Sequence, residues 1–256
     1  MKRIIITVLI ILIAVIISAN WILHTPHGYY EKAFAVGSSV CHQIPSHSYT
    51  NSGTQFPLCA RCSGLYLGSF IGLAYFFTRG KRKALPKKGF LMLLIFFFLA
   101  WAGDGVNSFV TDYFNRTIIY ETTNMTRLVS GFGMGLVMST ALITLFNLTV
   151  WKDAVNFSLL FSPWQVGGYV AASALAGWIL LFSNTFFFQV FAYISIVTVM
   201  IIITMLYTIF WVILLRKENS FSKWKSLGLF LVAGFASAML QVTLLNLLRQ
   251  WALGLI

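Results

Sequence analysis

Seven mainly apolar stretches, each near the roughly 20 residues a membrane-spanning helix needs, follow one another along this 256-residue chain with little between them. They run from Ile4 to Leu23, about Cys59 to Phe77, about Phe90 to Ser108, about Met125 to Leu148, Trp164 to Phe182, about Phe186 to Leu215, and about Leu227 to Leu248. Charged residues make up 9% of the chain and hydrophobic ones 59%, with a mean hydropathy of +0.83. A soluble domain carries about 25% charged residues, and no water-soluble fold of this size could hide so much apolar surface. Lipid solvates apolar side chains directly, provided the backbone is satisfied by helices. The expected fold is therefore an all-α, polytopic transmembrane bundle of about seven helices, one membrane domain over residues 1–256, placed in the cell membrane.

The net charge of +12 raises nucleic acid as a partner, and its distribution argues against it. The basic residues flank apolar segments, as they do when they anchor helices at a lipid interface. With a cytoplasmic N-terminus, that side holds Lys2, Arg3, Arg79, Lys81, Arg82, Lys83, Lys87, Lys88, Lys152, Arg216, Lys217, Lys223 and Lys225, thirteen in all. The other side holds five: Lys32, Arg61, Arg116, Arg127 and Arg249. The positive-inside rule then favours a cytoplasmic N-terminus and an extracytoplasmic C-terminus. The first stretch has a fair signal-peptide n-region, but its apolar run continues through Trp21 and Ile22, which favours an uncleaved helix. The basic run from Lys81 to Lys88 reads as a topology signal.

All three cysteines and all four histidines lie between residues 24 and 62: His24, His27, Cys41, His42, His47, Cys59 and Cys62. They fall in the expected extracytoplasmic loop, residues 24–58, and at the start of the second helix. Cys59 and Cys62 form a CxxC at the outer end of that helix, three residues apart and on one face. A helix N-terminus favours thiolate, and Arg61 adds charge. Such a pair can hold a soft or borderline metal such as zinc, with Cys41 and an imidazole (His42 is the candidate) completing a tetrahedron. It can also cycle between dithiol and disulfide. A structural disulfide plus one free thiol is the third reading, although an odd count leaves a cysteine over. His24 and His27 read as interfacial loop residues.

Polar residues at the same depth point to a shared pocket. Asp104 and Asn107 lie three apart near the outer end of the third helix, and Asn124 and Arg127 open the fourth, just after Glu121. Ionisable groups at membrane depth are costly and usually functional. Asp104 has three open roles: metal ligand, proton-transfer base, or ion-pair partner of Arg61 or Arg127. Arg61 and Arg127 suit a phosphate or anionic headgroup, since arginine binds such groups bidentately. Gln43 and Asn107 complete the candidate substrate-binding set with Asn124. Glycines at 64, 68 and 72 on the second helix and at 131 and 135 on the fourth would let the two backbones pack closely.

These motifs resemble a prokaryotic membrane-protein family, domain of unknown function 2085. Its pattern runs C-H-Q-x-P-x-R-S-F, then C-A-R-C-x-G-x-Y-x-G, an acidic residue in the next helix, and S/T-x-N-x-x-R-x-x-x-G. The matching residues are Cys41-His42-Gln43-Ile44-Pro45, Ser48-Tyr49, Cys59 through Gly68, Asp104, and Thr122 through Arg127 with Gly131. His47 stands where the family more often has arginine. The resemblance covers residues 38–135 and implies no established activity; residues 160–256 add further helices outside its motifs. Three functions follow from the residues. The first is a metal-dependent membrane hydrolase or transferase, with zinc as the expected metal, proton transfer by Asp104 or His42, and a lipid-linked or anionic substrate. The second is a thiol–disulfide oxidoreductase exchanging electrons with a membrane quinone. The third is a transporter or binding protein with a structural metal.

Overall fold

A computed structural model of the chain describes residues 2–114, 119–182 and 184–252. It is an all-α bundle in which seven long helices alternate in direction. They are α1 (Lys2–His24), α3 (Ala60–Phe77), α4 (Lys88–Phe114), α5 (Asn124–Val150), α6 (Pro163–Phe182), α7 (Thr185–Leu214) and α8 (Trp224–Ala252). A short helix, α2 (Tyr29–Ser38), follows α1. Among the described residues, six helices are long and apolar enough to cross a membrane, and the chain is a multi-pass membrane protein.

The helix that falls short of that measure is α3. It carries Arg61, Ser63, Ser69 and three glycines, and most of its length is buried. It packs against α5, α6 and α7, so protein rather than lipid surrounds it. A helix so placed has no need of a lipid-compatible surface, which explains its more polar composition. The glycine ridges act as expected. A Cβ on Gly64 would sit 2.2 Å from the Leu128 carbonyl oxygen, and one on Gly131 would sit 2.2 Å from the Arg61 carbonyl oxygen. The two backbones touch there, and any side chain would separate them.

Helix α4 extends to Phe114, six residues beyond the expected end at Ser108. The polar run Asn107-Ser108 marks an inward-facing stripe rather than a terminus. Thr111 hydroxyl donates to the Asn107 carbonyl at 2.8 Å within the continuing helix. At the start of α5, Thr123 and Thr126 form a reciprocal capping box, each side chain accepting the other's backbone N–H.

The stretch read as a loop, residues 24–58, is structured. After α2 come a 3₁₀ turn at Pro45–His47 and a hairpin pairing β1 (Thr50–Asn51) with β2 (Thr54–Gln55). The two turn residues, Ser52 and Gly53, have φ of 48° and 79°. Positive φ at both central positions is what a tight hairpin turn of matching twist requires. At the opposite end, β3 (Arg82–Ala84) pairs in parallel with β4 (Val155–Ser158). Lys81 joins three connections there, donating to Asp153 at 2.8 Å and to the Ser222 carbonyl at 2.6 Å. The bundle thus has a basic end and a cysteine–histidine end. Arg116, counted with the latter in the charge balance, lies outside the described residues.

Candidate metal centre

Cys59 is the N-cap of α3, with an extended backbone (φ −66°, ψ 161°), and Cys62 stands on the first turn. Cys41 lies in the segment after α2. All three cysteines are free. Their sulfur atoms lie within 4.8 Å of one another, forming a compact group that could hold a metal ion; Cys41 and Cys59 are buried. The backbone N–H of Cys59 donates to Cys41 Sγ at 3.2 Å, which ties the loop cysteine to the helix start.

The Cys59 sulfur lies within hydrogen-bonding reach of Cys41, Cys62 and His42. Cys41 is pushed up to about 11, chiefly by its hydrogen bond to Cys59.

His42 is exposed and adjoins Cys59. Its Nδ1 accepts the backbone N–H of Ile44 at 3.0 Å. A backbone N–H can only donate, so Nδ1 carries the lone pair, and in the neutral ring Nε2 carries the proton. The chain turns just after these two residues, at Gln43, whose φ is 56°. Gln43 is buried, and its Nε2 donates to the carbonyls of Phe34 and Pro57, both at 2.8 Å. It braces the loop from behind the sulfurs.

Asp104 sits on the other side of Arg61, outside the compact sulfur group. It is 3% exposed, and of the roles left open it forms the ion pair. Arg61 Nε donates to its Oδ2 at 2.8 Å, Nη2 approaches the same oxygen at 2.6 Å, and Nη2 also donates to the Asp104 carbonyl at 3.0 Å. Tyr120 hydroxyl donates to Oδ1 at 2.6 Å and Ser130 hydroxyl to Oδ2 at 3.1 Å. The carboxylate also lines a cavity of about 400 Å³ between α4 and α5, whose walls include Phe96, Phe97, Ala100 and Val129. Asn107 accepts from Ile119 N–H and donates to the Tyr120 carbonyl, so it sets the segment that delivers Tyr120.

Arg127 is buried on the first turn of α5. It donates to Ser108 hydroxyl at 2.9 Å and to Asn124 Oδ1 at 3.2 Å, and it meets His47 Nε2 at 3.2 Å. His47 also approaches Asp112 at 3.3 Å. Burial, then Arg127, lowers the pKa of His47. Asn124 ties α5 to the loop, donating to the Ser46 carbonyl and accepting the Tyr49 hydroxyl on its own carbonyl. Asp112, Tyr120 and Ser130 are site neighbours that motif reasoning passed over, and His47, given no role from the motif, is placed against Arg127 and Asp112. One signal was present: Asp104, Ser108 and Asp112 recur every four residues, a polar stripe on one face of α4.

The family described as "predicted membrane protein (DUF2085)" matches residues 41–141. An uncharacterised protein of Methanocaldococcus jannaschii is 26% identical over 121 residues, covering 46% of this chain and 71% of the relative. Another, from Methanothermobacter thermautotrophicus, is 28% identical over 107 residues, covering 41% of this chain and 86% of the relative. No solved structure matches. The matched region spans the Cys41–His42 segment and α3, which supply the sulfurs, together with all of α4 and most of α5. Over residues 41–141, the chain is thus similar to the DUF2085 family of predicted membrane proteins.

Proposed function

We propose that the chain is a metal-dependent membrane enzyme whose thiolate-bound metal, zinc by donor chemistry, lies at the extracytoplasmic face and serves an anionic or lipid-linked substrate. The single observation that carries this reading is the packing of three unbridged sulfurs within 4.8 Å. Zinc–sulfur bonds of about 2.3 Å in a tetrahedron set sulfurs about 3.8 Å apart, so the group needs little movement to close around one ion. Zinc bound there supplies Lewis acidity or an activated water.

His42 argues for an open fourth position. With Nδ1 accepting from Ile44, its other nitrogen is a donor, suited to a thiolate or to a leaving group rather than to a metal bond. Three protein ligands with one free position is the pattern of catalytic zinc, whereas four closed ligands mark structural zinc. Arg61 sits between Cys59 and Cys62 in sequence, and its Nη1 has no hydrogen-bond partner among the described residues. That leaves one guanidinium edge for an anionic group while the other holds Asp104. The positive-inside balance supports placing this end outside the cytoplasm.

The test is elemental analysis of purified full-length protein beside Cys59→Ser. Stoichiometric zinc lost in the variant supports the reading. No metal in either protein overturns it. The same free thiols support a second reading, a thiol oxidoreductase, and mass-shift labelling with and without reductant distinguishes the two.

A further inference from the structure

We infer that Arg249, on the last helix and outside the family-matched region, is a positioning residue that holds the Cys41–His42 segment in its sulfur-binding conformation. α8 is then part of the metal centre rather than a separate structural addition. The metal side of this inference rests on the proposed function; the positioning itself does not.

The segment needs such a residue. Helix α2 ends at Ser38, and the last carbonyls of a helix lack intrahelical partners. Two of them, at Val36 and Gly37, accept the N–H groups of Ser39 and Val40. The carbonyls of Ser38, Cys41 and His42 point toward α8. Arg249 Nη1 donates to Ser38 O at 3.3 Å and to Cys41 O at 3.0 Å, and Nη2 donates to His42 O at 3.1 Å. A cation at a helix C-terminus also meets the negative end of its dipole. One turn earlier on α8, Asn246 Oδ1 pairs with Ser38 hydroxyl at 2.6 Å.

Seen from the other side, Cys41 Sγ is fixed by the Cys59 N–H. The segment is therefore clamped between α8 and the start of α3. The left-handed backbone at Gln43 turns the chain within the clamp. A guanidinium suits this task because its planar fork can reach several carbonyls at once, and an ammonium cannot hold the same geometry. Among the described residues no carboxylate lies within ion-pair distance of Arg249, so its donors are free to serve these carbonyls.

The test uses full-length protein in detergent, with Arg249→Ala and Arg249→Lys. Site-resolved alkylation of metal-free protein reads the clamp directly. Losing one or two hydrogen bonds of ordinary net strength raises local opening about tenfold, so Cys41 should react about tenfold faster in Arg249→Ala, with Cys59 within about twofold of wild type. Cobalt substitution reads the metal side: the thiolate charge-transfer band should weaken and the affinity fall by about 10–100-fold. Millimolar guanidinium should restore both signals in the alanine variant, and lysine should restore them only in part. A general folding defect would raise labelling at both cysteines and would not respond to guanidinium. Unchanged Cys41 labelling in a folded Arg249→Ala protein overturns the inference. If wild type binds no cobalt yet Cys41 labelling still rises, the clamp stands and the metal reading fails.

Discussion

Arg61 and the buried Asp104 form a part-buried ion pair, with Nε donating to Oδ2 at 2.8 Å, that joins α3 to α4 beside the sulfur group. The pair receives further support from Tyr120 and Ser130. It fixes the first turn of α3, the turn on which Cys62 stands. Asp104 thus bears on the sulfurs through Arg61 rather than by direct approach.

Replacing Asp104 with Asn should leave the guanidinium part-buried without its counter-charge. Removing one partner of a buried pair costs about 3–5 kcal/mol. Thermal unfolding in detergent should show a large loss for Asp104→Asn. The double variant Asp104→Leu with Arg61→Met should recover much of it, because no lone charge remains. A single variant as stable as wild type would show that the pair contributes nothing to the bundle.

The contact between α3 and α5 makes a second prediction. Gly131→Leu must push the Arg61 carbonyl away, since even a Cβ would lie 2.2 Å from it. Overpacking of this kind costs about 1–3 kcal/mol or more. Gly53→Ala, where a Cβ meets nothing within 4 Å, suffers only its positive φ and should cost less. Equal losses at both positions would contradict close backbone packing.

His47 makes stability depend on pH. Its pKa in the fold lies below the ordinary value, from burial and from Arg127. The folded state therefore binds fewer protons than the unfolded chain as pH drops below about 6.5. Stability is full above that pH and is lost as pH falls through the lowered folded value. Melting temperatures between pH 7.5 and 5 should fall in wild type and fall less in His47→Gln. A parallel decline in both proteins would assign the effect elsewhere.

The two ends of the bundle should face opposite compartments. A reporter inserted at Ser52–Gly53, on the hairpin, should read as extracytoplasmic, and one near Lys83 should read as cytoplasmic. The reverse pattern would move the sulfur group to the reducing side of the membrane and remove the case for extracytoplasmic chemistry.

Helix number, glycine contacts and the cysteine group were legible because each follows from local spacing. Apolar runs mark spans, glycines every four residues mark close contacts, and CxxC marks one helical face. The partner of Asp104 was open between Arg61 and Arg127, because spacing cannot say which side of α4 faces α3. Tyr120 was missed because it reaches Asp104 from a loop whose path depends on Asn107. Arg249 read only as a charge beside the membrane. Its role depends on α8 returning to the sulfur end, a tertiary fact that no local pattern carries. Asp112 was passed over because α4 was ended too soon, at a polar pair that faces inward.

The most direct measurement is X-ray absorption at the zinc edge on purified full-length protein. A metal held by Cys41, Cys59 and Cys62 with an open fourth position gives three sulfur scatterers at about 2.3 Å and one light atom near 2.0 Å. That light atom should persist in His42→Ala, with water in the fourth place. Protein that retains no zinc, or a zinc shell lacking the Cys41 sulfur, would contradict the three-thiolate site.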